Sequence, residues 1–225
     1  MLKRVAAPLR VQAVNALRRE IVAGSYLPGT RLTEKHLEER LGVSRTVVRE
    51  ALRQLESERL IVIQPNVGPV VRELSIDDIT HLYEVRGTLE SAAGGLAARH
   101  RSAEQLAELR RVLGVIVERA EKVSTPELVE LKNDFYDTLI ASAGNPIIGE
   151  MLHNVQARIS QLRGITLTSP GRTPHMIAEL RRILNAIEEG DAEAAAALCQ
   201  AHVTAAAEIA LQHATHAYSQ KEATA

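Results

Sequence analysis

The 225-residue chain has no tryptophan, one phenylalanine and four tyrosines. Single-stranded nucleic acid is held on aromatic stacking platforms, so this poverty argues against that mode of binding. A lone cysteine, Cys199, leaves no internal disulfide and points to a reducing compartment. Its surroundings, AAAALCQAHV, read as a helix in which Cys199 is a small packing residue. The opening MLKRVAAPLR lacks the apolar core of a secretion signal. No run approaches the roughly 20 apolar residues that span a bilayer. A cytoplasmic protein without a membrane partner is expected. Catalytic signals are missing too: there is no nucleophile–base pair, no phosphate-cradling glycine loop and no complete metal set. Asp134 and Asp137, three apart, read as a solvated pair on one helix face, so no catalytic residue is assigned and no enzyme is expected.

What is present is a chain of 45% hydrophobic residues, enough to bury a real core. The net charge of −1 hides an asymmetry. Residues 1–73 carry 13 Lys/Arg against 8 Asp/Glu, whereas residues 74–225 carry 14 against 20. A basic block joined to an acidic one suggests that only the first half meets phosphate.

Local patterning divides the chain at the same place. Val11, Val14, Leu17, Ile21 and Val22 repeat at helical spacing, and Gly24 follows. Leu27-Pro28-Gly29 is a turn. A second helix fits 33–41 with Thr33 as its cap, Gly42 turns the chain, and Ser44 caps a third helix from Arg45 to about Glu58. Leu60 to Ile63, then Pro65 to Pro69, then Val70-Val71 read as strand, tight loop and strand. After the hinge at Leu74-Ser75 six helices are expected, at about 75–100, 102–122, 126–143, 146–166, 174–189 and 191–215. Ser75-x-x-Asp78 and Ser102-x-x-Gln105 are capping boxes, and Thr125-Pro126 and Thr173-Pro174 each set a cap before a first-turn proline. The tail from Tyr218 is polar and reads as frayed. The fold class is mainly α: an N-terminal winged helix-turn-helix over 8–73 and a C-terminal all-α bundle over 75–216.

Two short helices joined through Gly42 match a helix-turn-helix, with SRTVVREALRQLE opening the recognition helix. Arg45, Arg49 and Arg53 share one face, opposite Val48, Ala51, Leu52 and Leu55. Arginine suits bidentate contact with guanine in the major groove. Thr46 can reach a thymine methyl or a phosphate, and the helix start at Ser44 favours a phosphate. The competing reading is an ordinary solvated arginine face.

Residues 11–71 resemble the winged-helix domain of the GntR superfamily. The resemblance is carried by LRREIVAGSYLPGTRLTEKHLEERLGVSRTVVREALRQLESERLI and the wing IQPNVGPVV. It implies that Arg45, Thr46 and Arg49 contact bases or adjacent phosphates. It also implies backbone contacts from Arg31 and Lys35, and a wing that sets Asn66 and Gly68 near the minor groove. The chain departs from relatives at Val47, where some carry a second Thr, and at Pro65-Asn66, where some wings carry His-Gly.

Residues 75–215 resemble the all-helical effector domain of the FadR-type branch, through LYEVRGTLESAAGGLAARH, FYDTLIASAGNPII and ILNAIEEGDAEAAAALCQAH. The resemblance implies a homodimer whose operator affinity responds to a small molecule bound between helices. Two recognition helices would then meet a palindromic double-stranded operator. Many members hold a divalent metal with one Asp and three His. Here Lys132 falls at the Asp position, Tyr136 and Leu180 at two His positions, and only His202 matches, so the metal site is expected to be lost and no cofactor is assigned. A register slip bringing in Asp134 or His175 is the alternative. The other histidines are scattered without ligand spacing. Arg86, Lys132, Tyr136, Arg158 and His202 are the candidate effector residues, suited to a carboxylate-bearing metabolite. Two alternatives stay open: Arg86 pairs structurally with Glu90, and Lys132 snorkels to solvent beside an apolar pocket.

Overall fold

The structure, a computed structural model, describes residues 8–22 and 24–224, and for residues 160, 161, 163–165 and 217–224 the backbone alone. Residues 1–7, inspected above for a leader, Ala23 and Ala225 at the end of the tail lie outside the described residues. Two units, Met1–Leu74 and Ser75–Ala225, are each described by themselves.

In the first unit, α1 (Leu9–Val22) buries Ala13, Val14, Leu17 and Ile21, an apolar stripe at helical spacing. It packs on α3 (Arg45–Ser57), whose buried Val48, Ala51, Leu52 and Leu55 form the matching stripe. The short α2 (Glu34–Leu41) contributes Leu37. Gly42 ends α2 at φ 63° and donates its amide to the Glu38 carbonyl at 3.0 Å. This left-handed conformation is cheap only without a β-carbon, and it makes the sharp turn between the two helices. Thr33 and Ser44 stand at the N-cap positions with extended backbone, but neither hydroxyl makes the capping bond. Arg18 on α1 grips the Glu58 carboxylate with bonds of 2.6 to 3.0 Å, which fixes the end of α3 against α1.

The wing is β1 (Ile61–Gln64) paired antiparallel with β2 (Gly68–Val71), in register from Ile61↔Val71 to Gln64↔Gly68. Arg31 adds an isolated bridge to Val70. Ile61, Val70 and Val71 face the core, whereas Val62, Ile63 and Val67 are exposed.

The second unit holds six helices: α4 (Ile76–His100), α5 (Ala103–Arg119), α6 (Thr125–Ala143), α7 (Pro146–Thr168), α8 (Arg172–Glu189) and α9 (Ala192–Thr224). Both capping boxes form, at Ser75/Asp78 and Ser102/Gln105. Asn145 caps α7 by accepting from the amides of Ile147 and Ile148. Two cap assignments shift. Ser124, one residue before Thr125, caps α6, and Gly171 at φ 73° starts α8 a turn's fraction before Thr173-Pro174. The helix extends upstream because Arg172 folds back over it to Glu179, seven residues on and on the same face. At the far end α9 continues through the stretch read as frayed, to Thr224.

α4 runs through the middle of this unit and packs against α6, α7, α8 and α9. At Gly94 a β-carbon would stand 2.5 Å from Cys199 Sγ and 3.0 Å from the Ala195 carbonyl, so glycine here lets α9 approach. Leu109, Ile116, Phe135, Leu139, Met176, Leu180, Ile183 and Ile187 form the main core. The Ala192–His216 stretch of α9, with mean hydropathy 1.3, is long and apolar enough to cross a membrane, which the sequence reading did not anticipate. Its Ala195, Cys199, His202, Val203, Ala206 and Ala210 are buried at helical spacing in the unit's own core.

Candidate DNA interface and buried polar centre

The recognition helix presents Arg45, Thr46, Arg49 and Arg53 to solvent, with Ser44 exposed at its start. Arg31 and Lys35 are also exposed on the segment before α3. Asn66 is exposed in the wing loop at φ 63°, a conformation Asn tolerates, and Gly68 opens β2 at φ 97°. All nine residues therefore belong to the first unit's surface or wing.

Two of the arginines are restrained. Glu34 on α2 accepts from Arg45 Nε at 2.5 Å and from Arg49 Nε at 2.8 Å, one carboxylate oxygen to each. Glu38 stands a looser 4.0 Å from Arg45. The bonds from Arg49 and Arg45 hold the Glu34 carboxyl below its ordinary range, and Glu34 raises Arg45 in turn. Glu34 carries no mark in the sequence that separates it from the neighbouring acids of α2.

The second unit buries an ionic centre. On α4, Arg86 and Glu90 are each 1% exposed and pair at 2.7 Å, so the structural ion pair left open by the sequence is formed. Arg86 Nη2 also donates to the Tyr136 hydroxyl at 3.2 Å. Burial works against the Arg86 charge, but Glu90 and the two tyrosines beside it outweigh that and raise the guanidinium further. Lys132 is 2% exposed, which rules out the snorkelling alternative, and its Nζ lies 5.7 Å from the Tyr136 ring centroid. The Tyr136 and His202 rings are 6.1 Å apart.

His202 on α9 is fully buried, and its Nδ1 lies 2.5 Å from Glu179 Oε2. Arg172 clamps the same carboxylate with two bonds of 2.7 Å. Burial alone would raise the Glu179 carboxyl, yet the bonds from His202 and Arg172 bring it down to about 2. Burial, then the nearby Lys132 charge, pulls His202 down to about 3 against the opposing pull of Glu179. His202 Nε2 is buried with no hydrogen-bond partner among the described residues. Gln156 on α7 likewise buries an amide nitrogen without a partner among the described residues.

Arg86, Lys132, Tyr136 and His202 thus come together. Arg158 stands apart: it is half-buried and makes a loose 3.9 Å pair with Asp78, eight residues before Arg86 and so about 12 Å away along α4. Asp134, Asp137 and His175 are exposed. His36, His81, His100, His153, His213 and His216 are exposed as well. Arg172 and Glu179 were missed as members, and Glu90 was weighed only as the structural partner of Arg86. For Arg172 the available signal was its helical register with Met176, Leu180, Ile183 and Ile187, as Lys132 falls on the stripe Leu128, Phe135, Tyr136, Leu139, and Arg86 and Glu90 on the stripe Ile79, Tyr83, Ala93, Ala97.

At the positions that the resemblance gives to the metal ligands stand Lys132, Tyr136, Leu180 and His202. Lys132 is cationic, the Tyr136 oxygen takes a bond from Arg86, and Leu180 is fully buried in the apolar core. Among the described residues no three His, Cys, Asp or Glu side chains converge as a metal requires. Cys199 is no ligand either, since burial and then the Glu90 charge push its thiol up.

Comparison with known proteins agrees with both halves. The model of bacterial regulatory proteins of the gntR family matches residues 9–71, and that of the FCD domain matches residues 81–205. The chain belongs to the gntR family. It is a DNA-binding transcriptional regulator with an FCD domain, and not an enzyme. It is 30% identical to the HTH-type transcriptional regulator McbR of Escherichia coli (strain K12) over 67% of this chain and 68% of that one. It is 29% identical to an uncharacterized HTH-type transcriptional regulator, YdhC of Bacillus subtilis (strain 168), over 87% and 88%. Among solved structures, Escherichia coli McbR/YncC superposes with a TM-score of 0.78 at 27% identity, covering 96% of this chain and 100% of that one. A GntR regulator from Rhodococcus sp. RHA1 gives 0.73 at 26% identity, covering 89% and 96%.

Proposed function

We propose that this gntR-family regulator is a homodimer that reads a palindromic operator and changes its operator affinity when a carboxylate-bearing small molecule enters the helical domain, without a metal ion. The observation that carries this reading is the buried centre of Arg86, Glu90, Lys132, Tyr136, Arg172, Glu179 and His202. Charged groups cost stability in a dry interior. A fold that needed only packing would place apolar residues there. Lysine and arginine at such a place suit an incoming carboxylate, to which they give charge-assisted hydrogen bonds.

At the DNA, Arg45 and Arg49 are assigned to bases, with Thr46, Ser44 and Arg53 on bases or flanking phosphates. Arg31 and Lys35 serve the backbone, and Asn66 and Gly68 the wing contact. The exposure of this set on one small basic unit supports the assignment. Ligand binding alters affinity only through a difference in how tightly the ligand binds the DNA-competent and DNA-incompetent states.

Fluorescence anisotropy tests the reading. A duplex selected from random sequence is titrated with protein in EDTA, with and without a panel of organic acids. At least one acid shifts the operator midpoint by about fivefold or more, the range of ordinary allosteric coupling. An unmoved midpoint across the panel contradicts the carboxylate assignment.

A further inference from the structure

Arg45 and Arg49 turn the same atom toward one acid. Each gives its Nε hydrogen to Glu34, Arg45 to Oε2 at 2.5 Å and Arg49 to Oε1 at 2.8 Å. The fold sets the acid there. Glu34, Leu37 and Glu38 are three and four residues apart, on the side of α2 that packs on α3. Leu37 is fully buried and Gly42 makes the turn, so α2 brings its first residue to the start of α3.

A guanidinium can grip a guanine in two ways. It approaches side-on with Nε and one Nη, or end-on with both Nη groups. Glu34 occupies Nε of both arginines, which leaves each the end-on fork. Among the described residues, the Nη groups of Arg45 and Arg49 make no hydrogen bond. A phosphate approaching the Nε side meets the carboxylate and is repelled.

Stability does not explain the arrangement. The Arg45 and Arg49 side chains are 64% and 55% exposed, and ion pairs at such exposure add little to a fold. Elsewhere on this unit Glu20 holds a single exposed arginine, Arg40, whereas Glu34 spends one oxygen on each of two arginines assigned to bases.

We propose that Glu34 is a positioning residue that sets operator specificity: it holds Arg45 and Arg49 as one unit, with their Nη pairs meeting guanines end-on and phosphate kept from their Nε side. This rests on the assignment of the two arginines to bases. Glu34 itself touches no base and acts through them.

Fluorescence anisotropy of the full chain tests this, on the selected operator and on duplexes with each base pair replaced in turn. Arg45→Ala and Arg49→Ala mark the pairs that each arginine reads, as those whose replacement no longer matters. At these pairs the wild type prefers guanine by roughly 10- to 100-fold. Glu34→Gln offers one acceptor oxygen in place of two, and it loses about tenfold of that preference at one or both pairs. Glu39→Gln removes the same charge from an exposed position on α2 and keeps the preference, which separates the clasp from net charge. In 15N-labelled wild type, the Nε–H signals of both arginines stay visible by NMR in the free protein and on the operator. An unchanged preference in Glu34→Gln, an equal loss in Glu39→Gln, or Nε–H signals that vanish on the operator overturn the role of Glu34 and leave the base reading standing. If Arg45→Ala and Arg49→Ala keep every base preference, the base reading falls, and the role of Glu34 with it.

Discussion

Glu34 on α2 and Arg49 on α3 are joined at 2.8 Å across the turn of the DNA-reading motif, and the second Glu34 oxygen holds Arg45. The carboxylate orients two long side chains before DNA arrives, and it also repels any phosphate that approaches them. Glu34→Gln therefore raises affinity for random duplex, by roughly tenfold or less at low salt, and narrows the ratio of operator to random binding. Anisotropy titrations of both duplexes across a salt series read this directly. An unchanged ratio means Glu34 is a bystander.

Arg45→Ala separates a base reader from a phosphate contact. Loss of one bidentate guanine contact weakens operator binding by roughly 10- to 100-fold and leaves random-duplex binding much less affected. Equal losses on both duplexes place Arg45 on phosphate.

Acid should loosen the second unit. In the unfolded chain His202 takes up a proton near its ordinary 6.5, whereas in the fold burial and Lys132, with Arg86 adding to them against Glu179, hold it near 3. Glu179 behaves alike, with an ordinary 4.5 and a folded value of about 2. In both windows the unfolded chain binds more protons, so stability falls as pH drops, from 6.5 toward 3 for His202 and from 4.5 toward 2 for Glu179. Each group contributes at most about 1.4 kcal/mol per pH unit. Thermal melts by circular dichroism between pH 7.5 and 4.5 show a falling Tm. A flat Tm there shows that His202 is not held neutral.

Lys132→Met tests whether the buried cation serves packing or a ligand. Removing the charge costs the interactions Lys132 makes in the fold but relieves the cost of burying an ammonium. The variant keeps a cooperative melt and loses its response to organic acids. Its His202 also protonates more readily, since the Lys132 charge no longer opposes it. A sharp fall in Tm makes Lys132 a structural residue.

Gly94→Ala tests the close contact of α4 with α9. The added carbon meets Cys199 Sγ at 2.5 Å, and the Ala195 carbonyl limits retreat. A loss of about 1–3 kcal/mol in urea unfolding is expected. A neutral variant means the helices part at little cost.

Much of this was legible before the fold was in hand, and the reason lies in how local each signal is. The turn at Gly42, the Ser75/Asp78 box and the six helices of the second unit each depend on residues a few positions apart. The Glu34 clasp and the Arg172–Glu179–His202 chain do not. Glu34 meets partners 11 and 15 residues away on another helix, and His202 meets an acid 23 residues away. Thr173-Pro174 resembles a helix start so well that it hid the true one at Gly171, and with it the buried role of Arg172. Lys132 carried a usable signal, its place on the apolar stripe of α6, but lysine so often reaches out to water that the stripe alone left two readings.

The most direct test of the account is operator binding in EDTA by wild-type protein and Lys132→Met, each with and without the organic acid that binds most tightly. The account predicts an operator midpoint that the acid shifts about fivefold or more in the wild type and leaves in place in the variant. A shift of equal size in both proteins, or one that needs an added metal ion, contradicts it.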